Sequence, residues 1–201
     1  MRRCPQAPLA GAIPFLALPR PAFAHAAIQG VDEFAAGILH PLMTPAHVLV
    51  LLSLGLLLGQ HPPLRLKTPL LSFAVFAAAA LCATTFHLAA AVPQSLILAL
   101  ALCGAIFVSA AWPMPAPAQA ILFAAAALAV GFDSAVGDSP SRLAEVKTLL
   151  GIWVSLIITL VSVAFYVSLL PPKKWLQIAV RIAGSWIIAI TVMMLAFLLR
   201  R

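Results

Sequence analysis

Proline cuts this chain into apolar runs long enough to cross a bilayer, and that alternation limits the possible folds more than any other feature. Pro62-Pro63, Pro93, Pro113-Met114-Pro115-Ala116-Pro117, Pro140 and Pro171-Pro172 separate the runs, as residues that cannot continue a helix should. Six spans are expected between them, at about 34–60, 68–91, 94–112, 118–136, 147–170 and 175–199, each near the ~20 residues that cross the hydrocarbon core. Of the 201 residues 64% are hydrophobic and only 8% charged, which excludes a soluble globule. The expected fold class is all-α, a polytopic membrane protein. Pro69 opens the second span, where its missing N–H costs least.

The first 24 residues read as a cleavable secretory signal peptide. Arg2 and Arg3 supply the positive start, Ala7 to Leu18 the short apolar region, and Ala22-Phe23-Ala24 a small-x-small cleavage site. Cutting there makes His25 the new N-terminus and leaves 25–201 as a single six-helix transmembrane domain. Ala24-His25-Ala26 offers a second cleavage point. Export places the mature N-terminus outside. The loops at 61–67 and 171–174 are then cytoplasmic, with Arg65, Lys67, Lys173 and Lys174 on them, in line with the positive-inside tendency. Arg142, Lys147, Arg200 and Arg201 fall on the other side, so the signal peptide, not the charge count, decides the orientation. The net charge of +7 is membrane-orienting and does not point to nucleic acid.

The first span carries the chemistry. Gly37-Ile38-Leu39-His40-Pro41-Leu42-Met43-Thr44-Pro45-Ala46-His47 holds two histidines and two prolines in an otherwise apolar run. Imidazole is costly to hold in hydrocarbon and marks function by default. On a straight helix residues seven apart lie about 20° from alignment. Pro41 and Pro45 make a straight helix unfavourable, so a helix kinked at these prolines is expected, turning His40 and His47 toward a polar cavity. Imidazole nitrogens suit Ni, Co, Cu or Zn.

The same orientation gathers all five acidic residues (Asp32, Glu33, Asp133, Asp138 and Glu145) with His25, His40, His47 and His87 toward the outer side, and only His61 toward the inner. His87 is either a third nitrogen donor or a partner for a backbone carbonyl. Asp133, at the end of the fourth span, is either a ligand or a helix-end residue among headgroups. Cys82 and Cys103 read as small packing residues. Gly55-Leu56-Leu57-Leu58-Gly59 permits close helix approach, and Arg181 reads as a snorkelling cation. No phosphate loop, nucleophile elbow or pair of carboxylates at catalytic spacing is present in the sequence. A non-enzymatic protein is expected.

Phe34-Ala35-Ala36-Gly37-Ile38-Leu39-His40-Pro41-Leu42 and the following His47-Val48-Leu49, behind a signal peptide ending near a histidine, resemble the HupE/UreJ family. Leu150-Gly151-Ile152 and Arg181-Ile182-Ala183-Gly184 extend the resemblance over the mature chain. His40 and His47 match the family's two first-helix histidines, while Ala46 stands where the family has aspartate. Phe132-Asp133-Ser134-Ala135-Val136-Gly137-Asp138 stands where the family has a histidine-rich segment, and Asp133 could restore the missing negative charge. The resemblance implies six helices and uptake of a divalent transition metal, nickel or cobalt, with no permanently bound cofactor. The expected metal site comprises His25, His40, His47, His87 and Asp133. Expected partners are the lipid bilayer, the divalent ion and metalloenzyme maturation proteins. The alternative is a non-transporting assembly or scaffold protein that keeps the fold with a degenerate site.

Overall fold

The computed structural model describes residues 32–61, 67–86, 88, 91–135, 141–171 and 173–200. The expected signal peptide, His25, His87 and Asp138 lie outside the described residues. Among those described, the fold is entirely helical: α1 (Glu33–Met43), α2 (Pro45–Gly59), α3 (Lys67–Thr85), α4 (Gln94–Ala110), α5 (Ala116–Asp133), α6 (Arg142–Ser168) and α7 (Lys174–Leu199). Four helices are long and apolar enough to cross a membrane, and the bent pair α1–α2 makes up to five. The third expected span, α4, has 17 residues, about 26 Å of helix against a hydrocarbon core of about 30 Å. It is apolar apart from Gln94, Ser95 and Ser109 near its ends.

Helix α2 is the centre of the bundle. Twelve of its 15 residues are buried, which is why its sequence is apolar all round and not on one stripe. Helices α4 and α6 flank it and run in the same direction. A Cβ built on Gly104 would meet Ser53, one built on Gly55 would meet Val163, and one built on Gly59 would meet Val167. The GxxxG segment is therefore a contact between α2 and α6 within one chain. Helices α3 and α5 run together, joined by Ser72 Oγ donating to Ala120 O (3.0 Å) and by Phe73 packing edge-on against Phe123. Helix α7 returns antiparallel to α4, with Gly184 against Val108.

Helix α1 starts on Asp32, whose Oδ2 accepts from Phe34 N (3.2 Å), an ordinary N-cap. It crosses α6 at backbone contact. A Cβ on Gly37 would overlap the Thr148 carbonyl, and one on Gly151 would overlap the Phe34 carbonyl. Any larger residue at either position would push α1 away from α6. The exposed pair Lys147–Glu33 (3.9 Å) closes the rim of this crossing and is worth little on its own. Cys82 and Cys103 are both free thiols.

Candidate metal-binding site at a broken helix

The first span breaks at Thr44, between Met43 and Pro45, with a bend of 75°. The residue before a proline is pushed out of the helical region, and Thr44 sits at φ −97, ψ 105. Pro45 is the first residue of α2, where its absent N–H is no loss. Pro41, expected to share the kink, instead lies inside α1. Its position within three residues of the helix end leaves little helix beyond it to deflect. Two hydroxyls bond carbonyls of α1 near the break. Thr44 Oγ1 donates to His40 O (3.0 Å), and Ser155 Oγ donates to Ile38 O (2.8 Å). Neither Thr44 nor Ser155 is marked for a role by the sequence alone. A polar residue directly before Pro45, and one inside an apolar span, were the available signals.

The break falls beside the middle of α6, because α1 packs on its first half at Thr148 and Gly151 and α2 on its second at Leu160 and Val163. Irregular backbone at such depth survives where protein or a wet cavity satisfies it. It also presents the carbonyl end of α1, which carries partial negative charge and favours cations.

His40 comes from the last turn of α1 and His47 from the first turn of α2. The bend brings their ring centroids to 5.8 Å at an interplanar angle of 63°. An ion bonded at ~2.1 Å to a ring nitrogen lies roughly 3.2 Å from the ring centre, so two rings sharing one ion have centres about 5–6 Å apart. The observed spacing fits. His47 is fully buried, and its Nε2 lies 2.9 Å from Asp133 Oδ2 at the end of α5. With Asp133 ionised its carboxylate only accepts, and Nε2 is then the donor. The neutral ring then has its lone pair on Nδ1, which is buried and has no hydrogen-bond partner among the described residues.

Asp133 is thus a partner of the His47 ring. Its side chain is 33% exposed. Ala46, at the position where an aspartate was expected from the resemblance, is packed in the apolar core, so the carboxylate beside His47 arrives from α5. The three side chains do not close on one point: among the described residues no group of three or more His, Cys, Asp or Glu could hold a metal ion as arranged. Asp133 bonds His47 through Nε2, which leaves Nδ1 as the other ring nitrogen. The other described acids, Asp32, Glu33 and Glu145, start α1 and α6 in the same half of the bundle. His61 is at the far end of α2.

Apolar helices packed round a broken, histidine-bearing helix define a multi-pass membrane protein with a polar site in its interior. A family model described as HupE / UreJ protein matches residues 13–194, and the chain belongs to that family. Membership makes it a metal-related accessory or transport protein of the membrane. No curated protein and no solved structure gives a match.

Proposed function

We propose that the chain is an inner-membrane uptake permease for a divalent transition metal, nickel or cobalt, whose path passes the break between α1 and α2. The observation that supports it is the fully buried His47 held by Asp133, with His40 5.8 Å away across the break. His40 and His47 Nδ1 are the donors. Asp133 fixes the tautomer of His47 and supplies negative charge, the outer-shell role that carboxylates play for metal-bound histidines. The carbonyl end of α1 adds further negative potential, as half-helix ends do at cation sites in transporters with discontinuous helices. His25 and His87 are further candidate donors toward the outer face. The cargo moves without an ATP-binding element in the chain, so flux is passive or ion-coupled.

Uptake of radioactive nickel and cobalt into proteoliposomes holding the purified chain tests this. Saturable uptake is expected, abolished in His47→Ala and strongly reduced in His40→Ala. It should also fall between about pH 7.5 and about pH 5.5, because protonated imidazole has no lone pair for a metal. Binding without flux would favour the scaffold alternative. Wild-type uptake by both variants would overturn the site.

A further inference from the structure

At the opposite end of α2, about 20 Å of helix from His47, a cleft of about 440 Å³ opens between the ends of α2 and α4 and the start of α7. Gln60, His61, Ala111, Lys174, Gln177, Ile178 and Arg181 line it. We propose that this cleft binds a phosphate group, carried on an anionic phospholipid headgroup or free in solution.

Charge is the first ground. Arg181 and Lys174 both face the cleft and, among the described residues, no carboxylate lines it, so two cations stand together. The four acids described are all in the other half of the molecule. Arg181 is also oriented. Its Nε donates to Ser109 O (2.8 Å), at a point where Ser109 and Ser185 hydroxyls meet (2.9 Å) and Gly184 lets α7 approach Val108 closely. With Nε committed, the two terminal guanidinium amines have no other hydrogen-bond partner among the described residues. That fork matches two phosphate oxygens, and the first turn of α7 adds the positive end of a helix.

Unsatisfied polar atoms are the second ground. Gln60 Nε2 donates to Val108 O (3.1 Å), which fixes the amide, while its Oε1 is buried without a partner among the described residues. His61 Nε2 is in the same condition. A buried acceptor needs a donor, and a bare anion has none to give. A phosphate ester bearing a hydroxyl, or a protonated phosphate oxygen, supplies both functions at once. The backbone is also specialised here: Ala111 closes α4 in the left-handed region at φ 54, a conformation that costs a residue with a Cβ roughly 1–2 kcal/mol. The residues following Ala111 and Lys174 are Trp112 and Trp175, both largely exposed, as indoles at headgroup level are. Basic pockets between helices at this level suit phosphate headgroups.

The test is native mass spectrometry of the purified full chain titrated with phosphatidylglycerol, with phosphatidylcholine as the uncharged comparison and inorganic phosphate as competitor. Wild type should retain phosphatidylglycerol about tenfold more tightly than phosphatidylcholine. Arg181→Gln should remove that preference. Because Arg181 also ties α7 to α4, the exposed Gln177→Glu provides a second variant that keeps this tie and introduces a carboxylate into the cleft; it should remove the preference too. Lys173→Gln deletes the same charge one residue outside the cleft and should keep it. Competition by inorganic phosphate with no lipid preference would assign the site to free phosphate. If Gln177→Glu behaves as wild type toward both lipid and phosphate, or if neither probe binds, the proposal is overturned.

Discussion

At the scale of single residues, the bond between His47 and Asp133 joins positions 86 apart in sequence and does two separable things. It satisfies a buried imidazole N–H, and it sets negative charge behind the ring. Asp133→Asn keeps an acceptor and loses the charge, whereas Asp133→Ala loses both. Nickel affinity measured by calorimetry in detergent should therefore fall in the order wild type, Asp133→Asn, Asp133→Ala, with the last about 10–100-fold weaker, as for other outer-shell partners. Leaving the buried N–H unsatisfied should also lower stability by about 1–3 kcal/mol, read as a lower melting temperature for Asp133→Ala than for Asp133→Asn. Equal affinity for all three chains would remove Asp133 from the site. The two histidines stood out in the sequence because an ionisable residue is costly to hold in an apolar run. The nitrogen used by Asp133 was not legible, since it depends on how α5 ends against α2.

At the scale of elements, the break in the first span is a local event with a local cause. Pro45 disfavours the helical conformation at Thr44, and Pro45 cannot return a hydrogen bond to Pro41. Pro45→Ala removes both restrictions and should let α1 and α2 move toward one continuous helix. Residues 32 and 60 would be about 40 Å apart in a straight helix and about 30 Å apart with the present bend. Spin labels at Asp32 and Gln60, compared by pulsed electron resonance, should show a longer distance in Pro45→Ala. The straightened chain should bind nickel less well although both histidines remain, because the bend is what brings the rings together. An unchanged distance would mean that packing of α1 on α6, not Pro45, holds the bend. Gly37 and Gly151 are the residues that would do so. Proline spacing made the break readable from the sequence, but Pro41 is as prominent there as Pro45. Only the position relative to the helix end separates a proline that breaks from one that is absorbed.

At the scale of the whole molecule, directions alternate so that α2, α4 and α6 end where α7 begins, and α5 ends where α2 begins. This sorts the charges. Lys67, Lys173, Lys174 and Arg181 gather at the cleft end with no described acid, while Asp32, Glu33, Asp133 and Glu145 gather in the half that holds the histidines. Basic residues at that second end are partly offset, since Lys147 pairs with Glu33. Basic residues stand at both ends, so it is the expected export of the N-terminus that would place the cleft end in the cytoplasm and the broken helix on the side from which metal would arrive. Reporter fusions after Gln60 and after Pro172 should therefore read as cytoplasmic, and one placed between Asp138 and Glu145 as periplasmic. N-terminal sequencing of the purified protein checks the support of this orientation, with His25 expected first. The two measurements bear differently on the proposals. A retained Arg2-Arg3 segment with the same fusion pattern would leave the direction of uptake intact. An inverted fusion pattern would turn the broken helix toward the cytoplasm and make the same residues an exit site or a delivery site for a maturation partner. The phosphate cleft would then face the periplasm, where Arg181 and Lys174 would still bind the probes used to test it.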